Sequence, residues 1–144
     1  MAPPDQPEPP KSLVSYLNAW GSSSISPVGL ATLIISLHSR PFQTLPMLFP
    51  PLLFLSSYLN VAGFTIDSAG MSAAWSGLYV LLAARRRPAT LRKRFSARGA
   101  VRGVAMGLGT VNAVAGGYVY ATGDRKAEEL ERKERNRWGI YSDE

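Results

Sequence analysis

The sequence predicts an all-α protein: a polytopic membrane bundle of about four transmembrane helices, followed by a charged C-terminal helix. Three observations carry this expectation. Gly103 to Gly123 (GVAMGLGTVNAVAGGYVYATG) runs 21 residues without a charge, about the length a bilayer-spanning helix needs. The stretch just before it, Arg85 to Arg102, holds eight Lys/Arg and no acid. A neutral segment beside a purely basic one is the pattern of a sided membrane hairpin. Between Ser12 and Ala84 the only charged residues are Arg40 and Asp67, whereas the water-facing positions of a soluble domain ordinarily carry charge. The mean hydropathy near zero hides this, because the charges cluster at the ends and in one loop.

The 144 residues make one domain at most. They divide into a proline-rich tail (1–11), a membrane helical bundle (12–123) and a solvent-exposed charged helical tail (124–144). The tail MAPPDQPEPP has five prolines, two acids and no base. It offers nothing apolar to bury and is expected to be disordered. It also lacks the basic start and apolar core of a secretory signal and the arginines of a presequence.

Ser12 to Ser39 is uncharged and is expected to be the first span. Its strongly apolar part, Val28 to Leu37, is short, with Pro27 able to open a helix and Tyr16 and Trp20 suited to an interface. Arg40-Pro41 ends it. Leu45 to Ile66 is the second span, with Pro50-Pro51 expected to kink or interrupt it and Gly63 marking a turn. Ala69 to Ala84 is the third, capped by Asp67-Ser68 and extended by a snorkelling Arg85. The fourth covers roughly Arg98 to Ala121. The tail then brings Glu128, Glu129 and Glu131 four residues ahead of Arg132, Lys133 and Arg135, the favourable order for helix surface pairs. It reads as a solvated helix or as a docking helix anchored by Trp138, Ile140 and Tyr141.

Small residues recur every four positions in the last two spans: Ala69, Ala73 and Gly77 in the third; Gly99, Gly103 and Gly107, and separately Ala105, Gly109, Ala113 and Gly117, in the fourth. Small residues let helices approach closely in lipid, where hydrophobic burial drives little association. These are the expected helix-packing residues, together with Asn112. Asn60 and Asn112 both need partners in a dry environment, either across helices or along a substrate path. Asp67 reads as a cap or interface residue.

Several function classes are excluded or disfavoured. With no cysteine and a single histidine, His38, there are no disulfides, thiolate sites or multi-histidine metal sites. No nucleophile–base pair, paired carboxylates or metal ligands gather in the sequence, so no catalytic residue and no cofactor are expected, and the chain reads as a non-enzyme. Gly107, Gly109 and Gly116 have the wrong spacing for a nucleotide fingerprint. The bases lie between apolar segments, which favours the positive-inside reading over nucleic acid. Charge then places Arg40 and the basic loop on one side, and the Asp67 turn and both termini on the other.

Asp67, Ala69-Gly70, Ala74-Trp75-Ser76-Gly77-Leu78-Tyr79, Asn112-Ala113, Tyr118 and Ala121-Thr122-Gly123 resemble a fungal mitochondrial family, the altered inheritance of mitochondria protein 19 family. The similarity covers about two-fifths of the chain, Asp67 to Gly123; the N-terminal half agrees only in apolar pattern. The resemblance implies a multi-pass protein of the mitochondrial inner membrane with no assigned catalytic activity. It would act in a structural or assembly role, or as an accessory subunit of a respiratory-chain complex, among other inner-membrane proteins. The basic loop would face the matrix, where Arg85, Arg86, Arg87, Arg92, Lys93 and Arg94 would meet anionic lipid such as cardiolipin.

Overall fold

A computed structural model describes residues 10–86 and 95–135. All regular secondary structure among them is helical, beside one isolated bridge between Ser39 and Phe42. Residues 1–9 of the proline-rich tail, Arg87, Arg92, Lys93 and Arg94 of the basic loop, and the aromatic end of the charged tail (Trp138, Ile140, Tyr141) lie outside the described residues.

The expected first span is two helices, α1 (Leu13–Gly21) and α2 (Ile25–His38), bent by 67° at their junction. Gly21 and the three serines after it explain the break. Glycine is a poor helix former, and serine hydroxyls offer the backbone competing hydrogen bonds. Ser12 caps α1, its hydroxyl accepting from Ser15 N at 3.3 Å. Pro27 lies in the first turn of α2, where a missing N–H leaves no bond unmade.

A 3₁₀ turn (Pro46–Leu48) leads into α3 (Phe49–Val61). Of the two expected outcomes at Pro50-Pro51, a kink or an interruption, the second is found: the regular helix starts only at the proline pair. It falls in the opening turn of α3, for the same reason that Pro27 is accommodated. Gly63, at φ +98°, makes the turn into α4 (Thr65–Arg85). That φ is readily adopted by glycine and strained for other residues. Because α4 starts at Thr65, Asp67 lies in its first turn rather than at a cap. The fourth expected span is α5 (Ala97–Thr122), capped by Ser96, and the tail helix is α6 (Arg125–Arg135).

Among the described residues no single helix is both long enough and apolar enough to cross a membrane, although α1 and α2 together pass that test. The short members are α2 and α3, with 14 and 13 residues, about 20 Å at 1.5 Å per residue. The long members, α4 and α5, with 21 and 26 residues, are diluted by serine, glycine and threonine.

α4 and α5 pack antiparallel in one register. Gly123 meets Ile66, Gly116 meets Ala69 and Ala73, Ala113 faces Gly77, and Gly109 meets Ser76 and Val80. The buried positions of α5 include Ala105, Gly109, Asn112, Gly116 and Val119, alternating steps of four and three. This corrects the four-residue ladders. At 3.6 residues per turn a step of four drifts by about 40° each time, so a strict ladder leaves the contact line. Ala69, Ala73, Gly77, Ala105, Gly109 and Ala113 fall on or beside the seam. Gly103, Gly107 and Gly117 have open space beside them.

The core is built on Leu30, Ile34, Leu37, Leu53 and Tyr79, but it also buries polar groups, and much apolar surface stays outside. Ser26, Ser56, Ser68, Ser72, Ser76 and Asn112 are buried, while Phe54, Leu55, Leu78, Leu81, Val104 and Val114 are exposed. Most of the buried polar groups bind across or along helices. Asn112 accepts from Trp20 Nε1 at 2.7 Å and donates to Ser26 O at 3.0 Å. Asn60 donates to Ser22 O and Ser57 to Ser24 O, each at 2.8 Å. Ser68 donates to Ser56 O at 2.6 Å, joining α4 to α3.

A valine at Gly116 would place its Cβ 2.6 Å from the Ala69 carbonyl oxygen, a backbone atom that cannot swing aside. Gly116→Val should destabilise the purified protein by about 1–3 kcal/mol, and Gly107→Val by no more than about 0.5 kcal/mol. Thermal unfolding of the two variants checks the assignment of the seam.

Candidate functional site

Three helix ends meet at one end of the bundle: the C-termini of α2 and α4 and the N-terminus of α5. They enclose a cavity of about 470 Å³ lined by Leu37, His38, Pro41, Gln43, Pro46, Tyr79, Leu82, Ala83, Arg86, Ser96, Arg98, Gly99 and Arg102. Three of these are arginines and none is an acid.

Arg98 and Arg102 lie in the first two turns of α5, where the helix dipole disfavours a cation. Their placement has a local cause. α2 and α4 end beside α5 with their last carbonyls short of partners. Arg98 donates to Leu37 O at 2.6 Å. Arg102 donates to Ala83 O at 2.5 Å and also to Arg86 O. Arg86 in turn donates to Gln43 Oε1 at 3.1 Å, tying the end of α4 to the α2–α3 loop. The α5 N-terminus is closed by Ser96, whose hydroxyl accepts from Gly99 N at 3.2 Å.

The floor of the cavity is aromatic. Tyr79 packs edge-to-face against His38 and against Phe49, with ring centroids 6.3 and 5.9 Å away. His38 lies 3.0 Å through Nδ1 from Ile34 O, a contact in which Nδ1 carries the proton and donates. Tyr79 is 1% exposed, yet its hydroxyl has no hydrogen-bond partner. Buried polar groups are almost always satisfied, so this phenol is one of two exceptions among the described residues, with Ser76 Oγ.

The arrangement suits binding an anion. Among the described residues no three His, Asp or Glu side chains gather to hold a metal. Of the basic residues singled out from the sequence, Arg86 lines the cavity and Arg85 is exposed at the last position of α4. Arg98, Arg102, Tyr79 and Gln43 were not among the residues expected to form a site. A signal for the first two was present: two arginines four apart at the start of a helix share one face and oppose its dipole.

The opposite end is closed by α6. The α4 N-terminus has no side-chain cap of its own. Glu128 supplies one from the tail, its Oε1 accepting from Ile66 N at 2.8 Å. Arg125 pairs with Asp67 at 2.5 Å and lies over the Tyr120 ring. That carboxylate holds the Arg125 guanidinium pKa above its ordinary value. Arg132 stacks on Phe64, 4.2 Å from the ring centroid, and meets Gly63. The expected Glu128–Arg132 and Glu129–Lys133 pairs form. One face of α6 is therefore seated on the α3–α4 turn, while the rest is exposed as a solvated helix would be.

No family model, curated protein or solved structure matches the chain.

Removing the borrowed cap should expose the start of α4. Glu128→Ala is expected to cost about 1 kcal/mol and to speed hydrogen exchange at the Ile66 amide, with amides in the α4–α5 seam unchanged. Unchanged Ile66 exchange would show that Glu128 does not protect it.

Proposed function

We propose that this chain is a small multi-pass protein of the mitochondrial inner membrane with a non-catalytic structural or assembly role. The observation that carries the reading is the apolar surface: phenylalanine, leucine and valine side chains are exposed around a core that buries five serines and an asparagine beside its leucines and isoleucines. In water that arrangement leaves apolar surface unburied, whereas in lipid it places each group where transfer favours it. Helices too short or too diluted to span alone are accommodated when neighbours satisfy their polar groups, as Asn60, Asn112 and Ser57 do across the α1–α2 break.

Charge orients the bundle in this reading. Arg40, Arg85, Arg86, Arg98 and Arg102 lie at one end and the Asp67–Arg125 pair at the other. The positive-inside tendency puts the arginine end in the matrix and α6 in the intermembrane space. The anionic inner leaflet would attract Arg85–Arg87 and Arg92–Arg94 at roughly 1 kcal/mol per charge near the surface; cardiolipin is a fitting partner.

A second reading is favoured by the open face of α5. Gly103, Gly107 and Gly117 meet nothing among the described residues, and Val104, Val111 and Val114 are exposed. Such a strip suits close approach of a neighbouring transmembrane helix, as an accessory subunit of a respiratory-chain complex would require.

Alkaline extraction of mitochondria expressing the tagged protein tests the membrane placement, which predicts that the protein stays in the pellet. Release into the supernatant would overturn it. Native gel migration after mild solubilisation separates the two roles. Stoichiometric comigration with a respiratory complex selects the accessory subunit; migration near the protein's own mass or a low multiple selects the independent factor.

A further inference from the structure

We propose that the cavity at the arginine end binds a phosphate group, held by Arg86, Arg98 and Arg102 at the N-terminus of α5. A half-open cavity with its own donors is distinct from the general attraction of a basic loop to a membrane surface.

Four observations converge on it. Three guanidinium groups line one cavity with no carboxylate among the lining residues. A guanidinium has five N–H donors, and the bonds described above use one of Arg86, one of Arg98 and a shared nitrogen of Arg102. Donors therefore remain on each for a tetrahedral anion, which arginine matches by its fork geometry. The start of α5, a 26-residue helix, adds the positive end of its dipole at Ser96 and Gly99. Finally, Tyr79 lines the same cavity, is 1% exposed and has an unpartnered hydroxyl. A phosphate oxygen would supply the acceptor that this buried donor lacks.

The volume and lining add a detail. About 470 Å³ falls within the range of small-molecule sites and exceeds what a lone phosphate needs. Leu37, Pro41, Pro46 and Leu82 provide an apolar wall beside the arginines. The site thus takes a phosphate that carries an apolar substituent at least as readily as a free one. Lipid headgroup and free phosphate share the chemistry, and the measurement separates them.

The test uses the full chain purified in uncharged detergent, with thermal stability followed against ligand concentration. The probes are inorganic phosphate, dihexanoyl phosphatidic acid and dihexanoylglycerol, which has the same chains without the phosphate, with chloride matching ionic strength. Saturable stabilisation by either phosphate compound is expected. Arg98→Gln, Arg102→Gln and Arg86→Gln should each weaken it about tenfold or more, the value of a hydrogen bond to a charged group. Tyr79→Phe should weaken it several-fold, and Arg40→Gln, exposed at the same end but outside the cavity, less than twofold. Arg98 and Arg102 also tie helix ends together. Arg86 is exposed at the end of α4, so its variant decides the matter if the other two fail to fold.

Phosphatidic acid binding tenfold tighter than inorganic phosphate assigns the site to a lipid; equal affinity assigns it to free phosphate. Stabilisation reproduced by chloride, equal binding of dihexanoylglycerol, or wild-type affinity in Arg86→Gln and Tyr79→Phe would overturn the site. The outcome is independent of the membrane reading: a chain released by alkaline extraction that still binds phosphate keeps this proposal and loses that one.

Discussion

The fold depends on how side chains from α3 and α5 tie down the broken backbone between α1 and α2. Ser22, Ser24 and Ser26 each have a carbonyl oxygen bound by a side chain from elsewhere: Asn60, Ser57 and Asn112. A buried carbonyl left without a partner costs about 1–3 kcal/mol. Ser22, just past the end of α1, depends on Asn60 for that partner, whereas Ser24 and Ser26 open α2 and take a side chain as a second bond on carbonyls that also serve the helix. Asn112 also receives the Trp20 indole, so one amide at the middle of α5 fixes α1 and α2 together. The bend then determines the rest. It lets α1 lie across the C-terminal half of α5, where Gly21 comes against the Ala115 carbonyl, and it turns α2 towards α3 and the arginine end.

The α4–α5 seam is the second constraint, and it works by absence of side chain. Gly70 accepts the Tyr120 ring, Gly109 a Val80 methyl and Gly116 the Ala69 carbonyl. Each close approach gains dispersion contacts that larger residues would prevent. Because the helices touch along a line of alternating four- and three-residue steps, the glycines off that line stay open. The same helix therefore offers one face already filled and one unfilled.

Much of this was legible in the sequence. Uncharged runs and their punctuation located α4 and α5 to within a few residues, and Gly63 gave the turn into α4. Other features were not, for physical reasons. The prolines at 50 and 51 left a kink and an interruption both open, because a sequence does not say where a helix begins; at the first turn the same residues are harmless. The small-residue spacing identified a packing helix but not its period, since only the neighbour's register selects between four-residue ladders and the mixed seam. Arg98 and Arg102 dissolved into a basic loop when counted as charge. Their use depends on two other helices ending beside α5. The seating of α6 rests on Glu128 and Asp67, separated from Ile66 and Arg125 by 62 and 58 positions, a pairing no local pattern encodes.

That borrowed cap has a consequence for the order of assembly. Local contacts can form as a chain emerges, whereas distant ones wait for their partners and lengthen the search. Trp20 waits 92 positions for Asn112, and Ile66 waits 62 for Glu128. During synthesis from the N-terminus, α1 to α4 are complete before either arrives. The first four helices must therefore persist as a loose, partly unsatisfied group, and the last third of the chain closes both ends nearly at once. Truncation after α4 would thus remove both closures rather than trim an edge.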